Sequence, residues 1–338
     1  MTATQTATQI AIEKYGPAQA LSLREAPTPP VGDDDVSIAV KYSGINFADI
    51  QMRLGFYPDA PKRPFVPGYE VSGRVEAVGK NVTHLRPGDQ VVAGTYFGGY
   101  ASRVTVPGFQ AFPLPDSTDL AEGAAIPVNF FTAHLALHEM ARIREGDKIL
   151  VECATGGVGT LAIQMARHAG AEVVGLTTSE HKKSYIAELG ATPYTRDEFY
   201  ADDSLTGFDF ILQASGGKEI KKQLPRLGIT GRMVCMGLNS GVKDGKRNFF
   251  RIAKAAIQTP RLSVLKMFDH NYGLFALNAL HVLRDESWIE HLTSKVGEID
   301  QIGLRPHVGK VFAATDAPAA HEFLQTRQAL GKVLLEWS

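Results

Sequence analysis

Two cysteines in 338 residues, Cys153 and Cys235, are too few for a disulfide framework. Each lies in an apolar strand-like run, which predicts buried, inert thiols and a reducing compartment. An excess of one charge is also lacking. Lys and Arg number 35 against 36 Asp and Glu, for a net charge of −1, so no basic field points to nucleic acid or an anionic membrane. No uninterrupted apolar run is long enough to span a bilayer. The opening MTATQTATQ has neither the basic start nor the apolar centre of a signal peptide. These absences predict a cytoplasmic protein with no nucleic-acid partner and no integral membrane segment. A hydrophobic content of 44% and a charged content of 21% are those of a soluble globular chain. The length suffices for two separate cores.

The most informative stretch present is KILVECATGGVGTLAIQMARHAGAEVVGLTT, Lys148 to Thr178. KILVECA suits a buried parallel strand. The turn that follows places Ala154, Gly156 and Gly159 at G-x-G-x-x-G spacing, with Ala in the first slot. Gly156 and Gly157 allow close approach of a pyrophosphate, with Thr155 and Val158 beside them. Gly159 allows a helix to pack tightly on the sheet, its free N–H groups aimed at the phosphates. The alternative is a tight strand–helix turn with no ligand. The strand, turn, helix and second strand together favour a dinucleotide. NAD sites place Asp or Glu at the end of the second strand. Here that strand ends in Thr177, Thr178 and Ser179, with Glu180 just beyond and Lys182 and Lys183 following. Hydroxyls and a cation suit a 2′-phosphate, so the sequence predicts NADPH. Lysines on a solvated helix face are the plainer account of the last two.

The chain before residue 125 has short alternating strands punctuated by Gly and Pro, such as DDDVSIAVKYSGI and PFVPGYEVSGRVEAVG. These predict an antiparallel, barrel-like β-domain. From 125 to 301 helices alternate with apolar strands, including FDFILQAS and RMVCMG, as in a doubly wound parallel sheet. After 301, RPHVGKVF and GKVLLEW predict strands around a helix PAAHEFLQTR, so residues 302–338 are expected to rejoin residues 1–124. The fold class expected is α/β. The apolar stretch Arg247 to Leu283 reads as core plus one sheet-edge strand. It equally reads as a lid or dimer surface built on Phe249, Phe250, Met267, Phe268 and Phe275.

PGYEVSGRVEAVG, RPGDQVV and CATGGVG occur in the order used by the medium-chain dehydrogenase/reductase superfamily, which the chain resembles over essentially its full length. INFADIQMRLGFYP, VNFFTAHLAL and the terminal GKVLL are similar to its quinone oxidoreductase branch. The insert after GLNSG, with Lys246-Arg247-Asn248 and Asn271, resembles the vesicle amine transport protein-like lineage within it. The resemblance implies a GroES-like barrel with a Rossmann domain. It also implies a homodimer joined at the edges of the dinucleotide sheets, with RLSVLKMF as the edge strand. Zinc alcohol dehydrogenases of this superfamily hold catalytic zinc with Cys, a His beside Glu, and a further Cys. Here Asn46, Tyr69 and the segment Pro127-Val128-Asn129 occupy those slots, and the four-cysteine structural lobe is missing. Zn²⁺ takes about four N, S or O donors. His134 and His138 are four apart with no second pair, so a zinc-free protein is expected.

Without that Lewis acid, hydride must go to an acceptor that is already electrophilic, a quinone or an α,β-unsaturated carbonyl. The resemblance places Asn46, Asp49 and Tyr57 around the reaction. Asn46 and Tyr57 are candidate donors to the developing oxyanion. Asp49 is read as an orienting carboxylate, because an unshifted carboxyl is ionised at neutral pH. Their structural alternatives are a loop cap, a helix N-terminal charge and a turn-packing ring. For the cofactor the resemblance implies Thr132 near the nicotinamide and diphosphate and Tyr194 at the adenine or 2′-phosphate end. Ala214, Ser215, Gly237 and Leu238 are placed around the nicotinamide, and Lys332 closes the cleft. Gln213 stands where relatives carry Asp. Two other readings stay open. One is a nucleotide- or lipid-binding protein with little reductase activity. The other is a reductase of carrier-linked enoyl groups, with Lys243, Lys246, Arg247, Arg251 and Lys254 as a basic mouth.

Overall fold

The computed structural model describes residues 6–237 and 249–338. Two compact units divide the chain, one of residues 6–128 and 280–338, the other of 129–237 and 249–279. Leu238, Lys243, Lys246 and Arg247 lie outside the described residues.

The first unit is built of strands. A hairpin of β1 (Thr6–Ile12) and β2 (Leu21–Pro27) accompanies a seven-stranded sheet. That sheet contains β3 (Asp35–Ile45), β4 (Glu70–Val78), β5 (Gln90–Gly94), β6 (Arg103–Pro107) and β7 (Ala111–Pro113). Its last two members are β14 (Val308–Ala313) and β15 (Lys332–Glu336). The order is β14-β15-β3-β4-β5-β7, with β6 also paired to β3. The C-terminal strands therefore join the N-terminal sheet, Val333 lying opposite Ile45. Alternation along β3 buries Val36, Ile38 and Val40 in one core with Val71, Val91 and Val333, the period-2 pattern of a half-buried strand. Residues 280–301 group with this unit, whereas the sequence assigns them to the dinucleotide domain. Leu280 belongs to the barrel core, and the Asp300 carboxylate accepts N–H bonds from Asp116 (3.2 Å) and Ser117 (3.0 Å).

The second unit is a doubly wound parallel sheet. It contains β8 (Lys148–Val151), β9 (Glu172–Thr177), β10 (Thr192–Thr195), β11 (Phe208–Gln213), β12 (Leu227–Cys235) and β13 (Gly273–Ala276). The order is β10-β9-β8-β11-β12-β13 and every pairing is parallel. One expectation fails here. RLSVLKMF is not the edge strand; most of it forms a helix, Val264–His270. Ser263 accepts the Lys266 N–H at its start, and Asn271 closes it in a left-handed conformation, the residue types that begin and end helices. The edge is β13 instead. Phe250 and Phe268 are 90% and 78% exposed and Phe275 lies on the edge strand, so these aromatics line a surface rather than a core.

Candidate active site

In the barrel unit the helix Phe47–Leu54 begins directly after Asn46. The Asp49 carboxylate reaches back to accept the Asn46 N–H at 2.8 Å. This fixes the Asn46 side chain beside β4 and β15. There Asn46 Nδ2 donates to Glu70 Oε1 (3.0 Å), and Lys332 Nζ donates to Asn46 Oδ1 (2.6 Å). Lys332 also pairs with Glu70, and both are buried, at 3% and 0% exposure. Glu70 Oε2 accepts the Val128 N–H at 2.8 Å. Asn46 thus has both ends of its amide engaged. Lys332, expected at the cofactor, spends its described hydrogen bond and ion pair on Asn46 and Glu70 inside the barrel unit. Glu70 was visible in PGYE only as the neighbour of a replaced His; its lysine partner is remote in sequence.

Asp49 is completely buried, and burial lifts its carboxyl to about 6. The Asn46 N–H, the Tyr100 hydroxyl, the charge of Lys332 and the Gly68 N–H oppose that rise without cancelling it. The assumption of an unshifted carboxylate therefore does not hold, because desolvation penalises the charged form. Tyr100 donates to Asp49 Oδ2 at 3.0 Å and contacts His321 Nε2 at 3.0 Å. Burial, aided by the Arg53 charge, pulls His321 down to about 3, so its ring is neutral. A neutral carboxyl is favoured inside this unit between the ordinary carboxylate range and pH 6. Asp49 accordingly favours folding at low pH, and that contribution is lost as pH rises through 6. Asp49→Asn should flatten the stability–pH curve between about pH 4 and 6, where the wild type loses of order 3 kcal/mol relative to the variant. Denaturant melts at three pH values check this; parallel curves for the two proteins would contradict it.

Tyr57 follows the same helix. Its ring lies 6.3 Å from Tyr69, which lies 5.5 Å from Phe97, itself 5.2 Å from Tyr96. The Arg284 guanidinium stands 4.8 Å from the Tyr96 centroid. Burial raises both Tyr57 and Tyr69 above the ordinary phenol range, so both stay protonated donors at neutral pH. Tyr69, Tyr96 and Phe97 were not singled out as a wall, although Tyr69 was seen to replace a metal-binding His.

In the parallel-sheet unit the helix Gly157–His168 starts after β8 with Gly156, which carries no capping side chain, at its N-cap, and a helix start of this kind suits an anionic ligand. A Cβ on Gly159 would stand 2.9 Å from Ala154 Cα and closer still to the Cys153 carbonyl oxygen. A Cβ on Gly157 would stand 2.5 Å from Asn129 Nδ2. Gly156 faces only the Cys153 carbonyl, at 3.4 Å, so packing does not require glycine there and the space suits a phosphate. These residues fit the diphosphate of a dinucleotide. Thr155 is buried and Val158 half-buried in the same turn. Thr132 is buried in the helix Pro127–His134.

At the end of β9, Thr177 Oγ1 accepts the Ser179 N–H at 3.2 Å and Thr178 is exposed. The two lysines separate. Lys183 pairs with Glu198 (2.8 Å) and Glu180 (3.2 Å), whereas Lys182 is buried and burial pulls its amine below the ordinary value. Tyr194, on β10, packs against the apolar cluster of Leu150, Leu176 and Phe199. At the ends of β8 and β11, Glu152 Oε2 accepts from Gln213 Nε2 (2.8 Å), Ala214 N (2.9 Å) and Ser215 N (2.9 Å). Glu152 therefore holds the expected Ala214–Ser215 loop, and gives Gln213 the role the sequence left open. Gly237 follows β12.

The alcohol dehydrogenase GroES-like domain family matches residues 32–116, and the zinc-binding dehydrogenase family matches residues 157–267. The mouse synaptic vesicle membrane protein VAT-1 homolog-like is 30% identical over 335 residues, covering 97% of this chain and 80% of that protein. The chain belongs to the medium-chain dehydrogenase/reductase superfamily, in its VAT-1-like lineage. Its fold is shared by a quinone oxidoreductase from Thermus thermophilus, solved alone and with NADPH. That structure has a TM-score of 0.81 and 31% identity, with 98% of this chain and 100% of that one covered. A mycobacterial protein solved with NADPH gives a TM-score of 0.85 at 25% identity, over 98% and 100% of the two chains. Among the described residues no helix is long and apolar enough to cross a membrane.

Proposed function

We propose that this chain is an NADPH-dependent reductase that transfers hydride to a quinone or an α,β-unsaturated carbonyl without zinc. The observation that carries this reading is the buried Lys332–Asn46–Glu70 cluster. A lysine amine is bonded to Asn46, the residue in the first zinc slot, and to the neighbouring Glu70. The NADPH-bound quinone oxidoreductase among the similar structures supports the same reading. When bound, the reduced nicotinamide supplies a hydride.

The chain's own residues then do three things. The glycine turn and the helix behind it hold the diphosphate. The rings of Tyr57, Tyr69 and Phe97 accept a flat acceptor. Lys332 supplies positive charge, and the Tyr57 hydroxyl a hydrogen bond, to the oxygen on which negative charge develops. Both are set before reaction in a desolvated wall, where such groups act most strongly. Asp49, through the Asn46 N–H, fixes the amide that orients Lys332.

A panel of quinones, enones and 2-alkenals, followed at 340 nm, tests the reading. Turnover is expected with NADPH, weaker turnover with NADH, and no change on adding a zinc chelator. Inhibition by the chelator, or silence with every acceptor, would contradict it. We propose further that the exposed β13 edge and Phe275 are covered by a second copy of the chain. A dimer mass in light scattering at micromolar concentration is expected, and a monomer mass counts against this.

A further inference from the structure

Arg284 lies in the barrel unit between Leu280, which belongs to the barrel core, and the helix Glu286–Ser294. Its guanidinium carbon stands over the Tyr96 ring, 4.8 Å from the centroid. Stacking of this kind covers a face of the guanidinium and leaves the N–H groups at its edges. The ion pair it makes is loose. Nη2 lies 3.7 Å from Asp59 Oδ1, longer than a hydrogen bond, and His281 Nε2 donates to that same oxygen at 2.8 Å. Among the described residues the guanidinium makes no hydrogen bond, and the side chain is 49% exposed. Neither of its two-donor edges is occupied, which is what a carboxylate needs to accept two parallel N–H bonds.

Tyr96 is itself held in a left-handed backbone conformation, φ 57°, which is unfavourable for any residue other than glycine. Such conformations recur where a side chain is presented to a ligand. The Tyr96 ring lies 5.2 Å from Phe97, which lies 5.5 Å from Tyr69, so the guanidinium ends the row of rings assigned to the flat acceptor. The Arg284 charge also acts on the Tyr57 hydroxyl, the donor assigned to the developing oxyanion. An anion held by Arg284 therefore belongs to the acceptor molecule itself. The phosphate of a carrier-linked substrate lies a whole arm away from the reacting carbon and does not suit this place. Two acids stand nearby. Asp285 is committed to the N–H groups of Ser287 and Trp288 at the start of its helix. Asp59 offsets the Arg284 charge in part, but it leaves the N–H groups unused.

We propose that Arg284 is a specificity-determining residue that gives this chain a preference for acceptors carrying a carboxylate; the inference rests on the reductase reading above. It is tested with a 1,4-benzoquinone bearing an acetic acid side chain and with the primary amide of the same compound. The two differ in charge and hardly in size, so the ratio of their kcat/KM values at saturating NADPH isolates the carboxylate. The wild type should prefer the acid by about 10-fold, the lower end for hydrogen bonds to charged groups, because the site is partly exposed. Arg284→Gln should bring the ratio to one or below, since Asp59 then faces the carboxylate with no cation between them. Arg284→Lys, which keeps the charge and loses the fork, should fall between.

Thermal melts confirm that the variants are folded, as expected for a half-exposed side chain with no hydrogen bond to lose. Equal loss with both quinones in Arg284→Gln leaves the ratio where it was and shows that the residue only supports the ring wall. That result, or a ratio near one in the wild type, overturns the assignment while leaving the reductase reading in place. Silence of the wild type with both quinones removes the reductase reading itself, and this inference with it.

Discussion

Lys332→Met is expected to lower turnover by about 100-fold or more, the scale set by removing one preorganised group that stabilises an oxyanion. Binding of NADPH should change by less than about threefold, because the described bonds of Lys332 go to Asn46 and Glu70 in the barrel unit. The same change leaves Glu70, which has no exposed surface, with the Asn46 amide and the Val128 N–H as its partners among the described residues. Breaking a buried pair in this way costs about 3–5 kcal/mol, so loss of activity by unfolding has to be separated from loss of chemistry. Lys332→Met combined with Glu70→Gln removes both charges together. That pair should recover most of the stability and none of the turnover. Stopped-flow NADPH oxidation and denaturant melts on the three proteins distinguish the outcomes. Turnover close to wild type in either variant would show that Lys332 does not act on the acceptor.

The second large effect is expected within the glycine turn, where two glycines differ in what they do. Gly159→Ala places a methyl 2.9 Å from Ala154 Cα and against the Cys153 carbonyl. The helix Gly157–His168 must shift away from β8, at a cost of about 1–3 kcal/mol, and its N–H groups move off the phosphates. Stability and NADPH affinity should fall together. Gly156→Ala meets nothing closer than the Cys153 carbonyl, at 3.4 Å, and its backbone is extended. It should leave the melting curve nearly unchanged and weaken NADPH by about 10-fold or more, because the methyl occupies the approach of the diphosphate. If Gly156→Ala melts like Gly159→Ala, the turn needs both glycines for packing and the contrast fails. If Gly156→Ala binds NADPH as the wild type does, the diphosphate does not lie against this turn.

Much of this architecture was legible because it rests on local pattern. The strand–turn–helix around Gly156 needs only neighbouring residues to be recognised. The same holds for alternation along Asp35–Ile45 and for the closing strand Lys332–Glu336. The edge strand was misread for a local reason as well. RLSVLKMF is apolar enough for a strand, but Ser263 and Asn271 sit where a helix starts and stops, and those signals outweigh hydrophobicity over seven residues. The site was legible only in part. Asn46, Asp49 and Tyr57 lie close together in the chain and could be proposed from it. Glu70, Tyr100, His321 and Glu152 have partners far away in sequence, which no spacing rule connects. The protonation of Asp49 was missed for a different reason. It depends on complete burial, a property of the packed barrel rather than of the carboxyl and its neighbours in the chain.

The central claim is direct hydride transfer from NADPH to an electrophilic acceptor with no metal taking part. It is tested most directly with NADPH carrying deuterium at both C4 positions, a cyclic enone, and protein treated with chelator until no zinc is detected by mass spectrometry. The account predicts saturated ketone with deuterium on the carbon β to the carbonyl, formed at the rate of untreated protein. Product without deuterium at that carbon, or activity that disappears with the zinc and returns when zinc is restored, would contradict it.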